Sequence, residues 1–334
     1  MKINLNFYGF EVSVISENFQ ILELIEKNFS YFKSSIKGKK TLQIDVKVVD
    51  DSSIYLPKDL IASNQTINSI TYNDRNIRYN DYHGAALSVF DYTNESAKVY
   101  GQSINKLHEI VYLIILSRQG KWSDLNGLHK IHAMAVSKND KNLIVMMPMK
   151  GGKSTLFTKF LEERDFGIIS DDTPMINNKG EILNFPIRFG LEKASQYDQL
   201  LSSIPSEFKF ELKREEFGTK VLVDTKYINN RITQTKKKTI LINGIRHTGS
   251  ECIVKKVSKA LMLKYLITHM IIGIGLPMVI EYFLETSFKD HFRNLRILLN
   301  RIVGSLRLLK NSECYNVYMT YNINENYKKI KNLL

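Results

Sequence analysis

Residues 128–172 read LHKIHAMAVSKNDKNLIVMMPMKGGKSTLFTKFLEERDFGIISDD, and this stretch decides the fold. The apolar runs 128–136 and 143–147 flank a polar turn and predict two neighbouring strands. Two glycines follow, then a helical pattern over 153–163, and then a third apolar run, 166–169, that ends in two aspartates. Strand, loop, helix and strand in this order are typical of a nucleotide-binding core.

The sharpest motif is the segment 147–155, MPMKGGKST, which ends like a phosphate-binding loop. Glycines let backbone N–H groups approach a phosphate, and the helix that follows directs its positive N-terminus at the anion. In such a loop Lys153 reaches the β- and γ-phosphates of ATP, and the Ser154 hydroxyl binds Mg²⁺. The predicted nucleotide-binding residues of the loop are Lys150, Gly151, Gly152, Lys153, Ser154 and Thr155.

One position of this loop departs from the strict pattern. That pattern has a glycine five residues before Gly152, where this chain has Met147. The alternative interpretation is a helix N-terminus with an incidental lysine. The apolar strand before the loop, the helix after it and the acidic pair beyond that helix favour the phosphate loop.

Asp171 and Asp172 close the third apolar run. Two adjacent carboxylates at a strand end are costly to bury together without a cation. Beside a phosphate loop they suit Mg²⁺ coordination and a general base for an attacking hydroxyl. The alternative is a turn or a helix cap, which aspartates at strand ends commonly form.

Two histidines, His129 and His132, lie in the strand predicted over 128–136. Because successive side chains of a strand point to opposite faces, an odd spacing places the two on different faces. Only one of them can therefore face the site, and either can be an ordinary core residue.

The region 1–120 is predicted to be a β-rich unit, and 121–334 a nucleotide-binding domain with a helical C-terminal part. Period-two alternation or short apolar runs predict strands at 2–15, 41–49, 67–72, 77–79 and 97–102. Helical spacing predicts helices over 16–32 and 104–117, and Gly120–Gly127 reads as a connector. These elements give an α/β class with mixed sheets.

Three features are expected in the C-terminal part. Residues 205–236 are charged and weakly periodic, which favours an exposed loop or lid. The apolar stretch 260–284 is broken by GIGLP and predicts two buried helical pieces rather than a membrane span. The helices over 256–310 carry a basic face made of Lys289, Arg293, Arg296, Arg301 and Arg307.

Composition and charge narrow the class of protein. The 334 residues are 43% hydrophobic and 24% charged, which excludes a disordered chain and a coiled-coil rod. Two cysteines exclude a disulfide scaffold and suit a cytoplasmic location, and the alternating N-terminus does not resemble a signal peptide. The net charge of +13 favours an acidic partner, with biased composition as the alternative.

The motifs LHKIHAMAV, MPMKGGKSTL and FGIISDD together resemble the HPr serine kinase/phosphorylase family and its kinase-like relatives beside peptide natural-product genes. The resemblance is strong over about 126–190 and implies a fold like that of phosphoenolpyruvate carboxykinase. It implies that His132 is the active-site histidine, that Lys153 and Ser154 bind phosphate and metal, and that Asp171 and Asp172 supply metal ligand and base.

The same resemblance makes Arg188, in FPIR, a phosphate contact. The family's later arginine- and glycine-rich signature is not found in this chain, and residues 1–120 do not match the family's regulatory domain. The resemblance therefore supports an ATP site rather than HPr itself as the acceptor.

These observations predict an ATP·Mg²⁺-dependent kinase that phosphorylates a hydroxyl, a serine of a peptide or protein. One alternative is a small-molecule or nucleic-acid kinase that uses the basic helical face, and another is a nucleotide-binding regulator or assembly partner without catalysis. The phosphate loop, the acidic pair and His132 account for nucleotide binding, and none of them recognises an acceptor. The acceptor groove is therefore predicted at 205–236 and the basic helices 289–307. A homo-oligomer is compatible with the sequence.

Overall fold

The computed structural model describes residues 1–35, 41–148, 151–192, 197–214, 218–233, 238–279 and 288–334. The chain forms two compact units, the first made of residues 1–119 with 211–220 and the second of residues 120–210 with 221–334. Helices and mixed sheets occur together along the chain, so the expected mixed α/β class is confirmed.

The first unit contains an eight-stranded sheet. Its strands are β1 (Lys2–Phe7), β2 (Phe10–Ser16), β3 (Leu42–Val48), β4 (Ala62–Gln65), β5 (Ile70–Asp74), β6 (Ile77–Asp81), β7 (Ala86–Asp91) and β8 (Ser96–Gly101). They lie in the order β1-β2-β3-β8-β7-β6-β5-β4. β3 pairs in parallel with β2 and β8, and the other neighbours are antiparallel. Helix α1 (Phe19–Asn28) supplies the crossover that the parallel pair β2 and β3 requires.

In this unit the structure corrects one strand prediction and adds two strands, β4 and β7, that were not predicted. The stretch 2–15 is a hairpin, because Tyr8 and Gly9 turn the chain with φ angles of 57° and 102°. Alternation continues on both sides of this two-residue turn, which hides it in the sequence. β7 was not predicted, because three of its first residues in a row are buried and its sequence lacks alternation.

Helix α2 (Ile104–Leu125) is longer than predicted, and the connector expected at 120–127 was wrong. Gly120, which suggested a break, lies inside the helix. A Cβ at this position would lie 2.9 Å from the side chain of Met278. Close packing against Met278 therefore explains the glycine, although glycine inside a helix lowers stability because it loses more backbone freedom on folding.

The remaining strands are β9 (Leu128–Lys130), β10 (Ala133–Lys138), β11 (Lys141–Met146), β12 (Gly167–Ser170), β13 (Met175–Asn177), β14 (Ile182–Leu183), β15 (Phe189–Glu192), β16 (Lys209–Arg214), β17 (Gly218–Val223), β18 (Thr239–Arg246), β19 (Ile253–Lys256) and β20 (Ser312–Met319). Six of them form the main sheet of the second unit, in the order β12-β10-β11-β18-β20-β19. Two small sheets have the orders β14-β13-β9 and β15-β17-β16.

The helices that follow α2 are α3 (Lys153–Glu162), α4 (Asp198–Ser203), α5 (Lys259–Leu266), α6 (Phe288–Lys310) and α7 (Ile323–Lys331).

The main sheet is buried on both faces. Val145 of β11 packs in a core with Phe157 of α3, whereas its neighbour Ile144 packs in a second core with Met262 of α5. Two cores on opposite faces explain why these strands read as continuous apolar runs.

The strand predicted over 128–136 is interrupted. β9 and β10 belong to different sheets, and the two residues between them bond elsewhere. The N–H of Ile131 donates to the carbonyl of Pro174 at 3.0 Å, and the N–H of His132 donates to the carbonyl of His269 at 2.9 Å. Both sides of the break are buried, so the sequence shows one apolar run.

The exposed loop or lid expected at 205–236 was also wrong for the residues described. β16 and β17 occupy much of this region, and a 3₁₀ helix, Thr225–Arg231, follows them. The Arg231 guanidinium donates to the carbonyls of Leu161 at 2.8 Å and Phe166 at 3.1 Å, which ties the segment to α3 and β12. Residues 215–217 and 234–237 lie outside the described part.

The apolar stretch 260–284 begins with α5 and a π-helical turn, Ile267–Ile272, which ends at Gly273. This supports the first of the two helical pieces, and residues 280–287 lie outside the described part. Within the described ranges, no helix combines the length and the apolar character needed to cross a membrane.

The basic face predicted on α6 includes one residue wrongly. Arg296 and Arg307 are exposed and Arg293 is half-buried, but Arg301 is buried against Asp124. The side chain of Lys289 lies outside the described part. Arg301 is therefore a structural residue, because its charge is neutralised inside the protein.

Candidate functional site

Four strands of the main sheet run in one direction and end at the same edge. β11, β18 and β20 are parallel, and β12 shares their direction because both β11 and β12 are antiparallel to β10. The phosphate loop follows β11, the pair Asp171–Asp172 follows β12, and Arg246 ends β18. β10 begins at this edge, which places His132 there. The topology therefore brings the predicted site residues together.

The loop residues described have the geometry of a helix N-terminus open to an anion. Gly152 caps α3 with a φ of 96°, a left-handed conformation that favours glycine. Its carbonyl accepts the N–H of Leu156 at 2.9 Å, which is the first hydrogen bond of the helix. The N–H groups of the residues before Leu156 therefore make no hydrogen bond within α3. Such groups together with the helix dipole attract phosphate.

Met147, the departure from the strict loop pattern, is a core residue. It is fully buried in the cluster between α3 and the main sheet. A Cβ on Gly244 would lie 2.8 Å from its Cγ, and a Cβ on Gly151 would lie 3.2 Å from its Cβ. The methionine thus fills space left by two other glycines, which is how the chain accommodates it.

Lys153, Asp172 and His132 meet at the edge of the sheet, and we call this group the Asp172 site. Lys153 Nζ lies 2.5 Å from Asp172 Oδ1, and His132 Nε2 lies 3.4 Å from the same oxygen. Lys153 and His132 are buried, whereas the Asp172 side chain is 43% exposed. A soluble molecule can therefore reach the carboxylate while its two partners hold it from the protein side.

The two aspartates have opposite electrostatic environments. Partial burial by itself would raise the pKa of Asp172, but the neighbouring His132 and the Lys153 charge outweigh it and hold that pKa well below its usual range. Burial and the neighbouring Asp172 carboxylate raise the pKa of Asp171 to about 8. One member of the pair is thus anionic at neutral pH, and the other favours its protonated form until a cation is near.

The residues present fit a magnesium ion that also contacts a nucleotide. Asp171 Oδ1 is enclosed and has no hydrogen-bond partner among the described residues, which suits an oxygen that binds a cation. Within the same residues, no cluster of three or more acidic, histidine or cysteine side chains could hold a metal by itself. Mg²⁺ is usually bound by one or two carboxylates together with substrate phosphates, and Asp171, Asp172 and the exposed Ser154 match that requirement.

The other predicted nucleotide contacts differ in what they offer. The Thr155 hydroxyl is hydrogen-bonded to Tyr197 Oη at 2.7 Å. The group that Thr155 can offer a ligand is therefore its backbone N–H in the first turn of α3. The charge of Arg188 acts on Asp171, which places this arginine beside the acidic pair. Lys150 lies outside the described residues.

His129 belongs to a second group of charges, away from the Asp172 site. Its Nδ1 lies 2.8 Å from Asp124 Oδ1, and its Nε2 lies 3.1 Å from Asn178 Oδ1. Arg301 donates from Nε to Asp124 Oδ1 at 3.0 Å and also pairs with Oδ2. We call Asp124, His129 and Arg301 the Asp124 cluster. All three are almost completely buried, so His129 is a structural residue.

Sequence reasoning missed two residues at the edge. Arg246 donates from Nε to the Gly151 carbonyl at 3.1 Å and from Nη1 to the Thr320 carbonyl at 2.6 Å, and so connects the phosphate loop to the end of β20. Its guanidinium lies 5.6 Å from the ring centre of Tyr321. Only the structure shows that Arg246 ends β18, a strand parallel to β11, and so lies at the same edge as the loop.

The second missed residue is His269, whose ring centre lies 5.9 Å from that of His132. Burial, followed by the charges of His132 and Lys153, lowers the pKa of His269 to about 4. It is therefore neutral at physiological pH. Nothing local in the apolar sequence around His269 distinguishes it from a core residue.

No model of a known protein family matches the chain, and no curated protein shows significant sequence similarity to it.

Proposed function

We propose that this protein is an ATP·Mg²⁺-dependent kinase that transfers a phosphoryl group to a hydroxyl, a serine of a peptide or protein. The observation that carries the proposal is the contact of Lys153 and His132 with one half-exposed carboxylate, Asp172, beside the glycine-capped start of α3. A phosphate-binding element and a candidate base lie side by side, which phosphoryl transfer requires. The resemblance to HPr serine kinase and a core like that of phosphoenolpyruvate carboxykinase are part of this proposal.

Lys153 is paired with Asp172 at 2.5 Å. A triphosphate bound at the start of α3 offers the ammonium group several anionic oxygens, which are stronger partners than one half-exposed carboxylate. Lys153 then turns to the β- and γ-phosphates and leaves Asp172 Oδ1 to the acceptor. Nucleotide binding would in this way prepare the base.

In the transfer step, the acceptor oxygen forms a bond to the γ-phosphorus while the bond from that phosphorus to the β–γ bridging oxygen breaks. The hydroxyl proton passes to the Asp172 carboxylate, and the bridging electrons leave with ADP. His132, next to Asp172, holds this carboxylate in place and can share the proton. Lys153 offsets the negative charge on the transferring group.

When bound, Mg²⁺ would join the phosphate oxygens to the protein and neutralise their charge. Asp171 and Ser154 are the residues we assign to hold it, with Asp172 as a shared neighbour. The acceptor groove at 205–236 and α6 stays a prediction.

Lys153→Ala tests the nucleotide site. Removing a charge-assisted contact of about 1.5–3 kcal/mol should weaken ATP binding about 10-fold to 150-fold in calorimetry with Mg²⁺. Lys159→Ala is the matched control, since Lys159 lies on the same helix and forms a surface ion pair with nearby Glu162 at 3.0 Å. Equal affinity of the wild type and the Lys153→Ala variant would reject the phosphate loop.

Transfer is tested with ATP labelled in the γ-phosphate and a library of unphosphorylated peptides containing serine. Label on peptide serine supports the proposed reaction. ATP binding with no label on peptides, on the protein itself or on added RNA would point instead to the non-catalytic regulator. Label on RNA would replace the peptide acceptor with a nucleic acid.

A further inference from the structure

We propose that the GIG turn, Gly273–Gly275, is a holder that fixes the ring orientation and the tautomer of His132. The consequence for catalysis rests on the proposed function, but the tautomer itself does not. Ile274 and Gly275 are thus positioning residues that act through His132. The glycine-rich break in the apolar stretch has a role in the site and is more than a helix end.

The backbone of this segment is pinned next to His132. The N–H groups of Gly273 and Ile274 both donate to the carbonyl of Thr268, at 3.1 and 3.0 Å. One residue further along the π-helical turn, the carbonyl of His269 accepts the N–H of His132 at 2.9 Å. π-helical turns are rare overall but frequent at functional sites. Here the turn and the GIG segment that follows it each place one carbonyl on the same histidine.

The second carbonyl belongs to Ile274, and it lies 2.9 Å from His132 Nδ1. A carbonyl oxygen only accepts hydrogen bonds, so Nδ1 carries a proton in this contact. The nitrogen left for Asp172 is Nε2, at 3.4 Å from its Oδ1. The holder therefore decides which nitrogen of the ring can exchange a proton with the base.

Gly275 is required for two independent reasons. Its φ is 92°, which a residue with a side chain rarely adopts. A Cβ at this position would also lie 2.7 Å from both Cε1 and Nδ1 of His132. Any side chain would thus push the imidazole away from the Ile274 carbonyl. The close approach of backbone to ring is the contact that the holder depends on.

The first measurement needs no variant. Protein labelled with ¹⁵N-histidine, without nucleotide and at neutral pH, is studied by long-range ¹H–¹⁵N NMR, and the His132 signals are assigned by their loss in His132→Gln. The expected spectrum has a protonated Nδ1 in a single, non-exchanging ring state. A ring protonated only at Nε2, or an exchanging mixture of tautomers, would overturn the proposal whatever the protein's activity.

The second measurement compares Gly275→Ala with Gly84→Ala. Gly84 has a similar φ of 81° with nothing within 4 Å of an added Cβ, so it reproduces the backbone strain without touching His132. We expect Gly275→Ala to lose the single His132 tautomer and to reduce kcat about 10-fold to 100-fold, with ATP affinity unchanged, because small misplacements of catalytic groups have effects of this size. Gly84→Ala should retain both properties.

A Gly275→Ala variant that keeps the wild-type tautomer and kcat would overturn the proposal. If the wild type has no transferase activity, the proposed function fails, whereas the NMR spectra still decide the holder. If Gly275→Ala does not fold, the wild-type spectrum alone decides it.

Discussion

The Asp124 cluster and the Asp172 site contain the same parts, an aspartate with a histidine and a cation, and their histidines are three residues apart in the chain. In the Asp124 cluster both carboxylate oxygens are occupied by Arg301 and His129, and the aspartate is fully buried. In the Asp172 site the carboxylate is 43% exposed, and the contacts of Lys153 and His132 both fall on one oxygen, Oδ1. The first arrangement is saturated and closed, whereas the second leaves carboxylate surface for another molecule.

This difference separates stability from function. A buried and fully paired charge adds little net stability to the fold. Removing one partner is nevertheless strongly destabilising, because it leaves the other charges buried without compensation. A half-exposed pair contributes little to stability, since water screens it. We therefore expect substitutions in the Asp124 cluster to affect folding and substitutions in the Asp172 site to affect chemistry.

The largest effect is expected from Asp172→Asn. It keeps the size of the side chain and removes the candidate base, so phosphoryl transfer should fall about 10²-fold to 10⁴-fold, as for other positioned bases. Thermal unfolding should change less than in variants of the Asp124 cluster, because the Asp172 side chain is 43% exposed. Asp165→Asn is the control, since Asp165 is an exposed aspartate paired with Lys138. Transfer by Asp172→Asn at the wild-type rate would remove the distinction between the two groups.

The next effect is expected from Asp124→Ala. The variant leaves the Arg301 charge buried without its carboxylate, so urea unfolding should show a loss of about 3–5 kcal/mol. The double variant Asp124→Leu with Arg301→Met should recover much of this loss, because it removes both charges. A loss of less than about 1 kcal/mol in the single variant would show that the cluster is not the closed unit described above.

The smallest effect is expected in the pH dependence of the free energy of unfolding. Burial, partly offset by the Asp124 charge, lowers the pKa of Lys130 to about 7, and its Nζ lies 4.3 Å from the ring centre of Phe185. Between pH 7 and the unfolded pKa of about 10.4, the folded protein has released this proton and the unfolded chain retains it. The free energy of unfolding should therefore rise with pH, by up to about 1.4 kcal/mol per unit.

Lys130→Met should flatten that slope when urea unfolding is compared between pH 7 and 9. Lys138→Met, at a partly exposed lysine on β10, is the matched control and should leave the slope as it is in the wild type. An unchanged slope in Lys130→Met would mean that Lys130 keeps its proton in the folded protein, held by the Asp124 charge.

Local patterns were sufficient for the strand–loop–helix–strand core. The order of β11, α3 and β12 follows from periodicity and from the glycines, and Lys153 and Asp172 could be singled out because their residue types have few other uses at those positions. The break at Ile131 and His132 could not be predicted. Both flanking strands are buried, so their composition is the same as that of one continuous strand.

The sequence by itself determined the α/β class, the helix that begins at Lys153, and the chemical inventory of loop, acidic pair and histidines. Only the tertiary structure decided that His132 joins Asp172 while His129 joins Asp124, that Arg301 is buried, and that Gly275 lies against an imidazole. The physical reason is the distance along the chain over which each kind of interaction acts. Periodicity and turn chemistry act over a few residues. The contacts of His132 with Asp172, of Gly275 with His132 and of Arg301 with Asp124 join residues between 40 and 177 positions apart, where packing selects the partners.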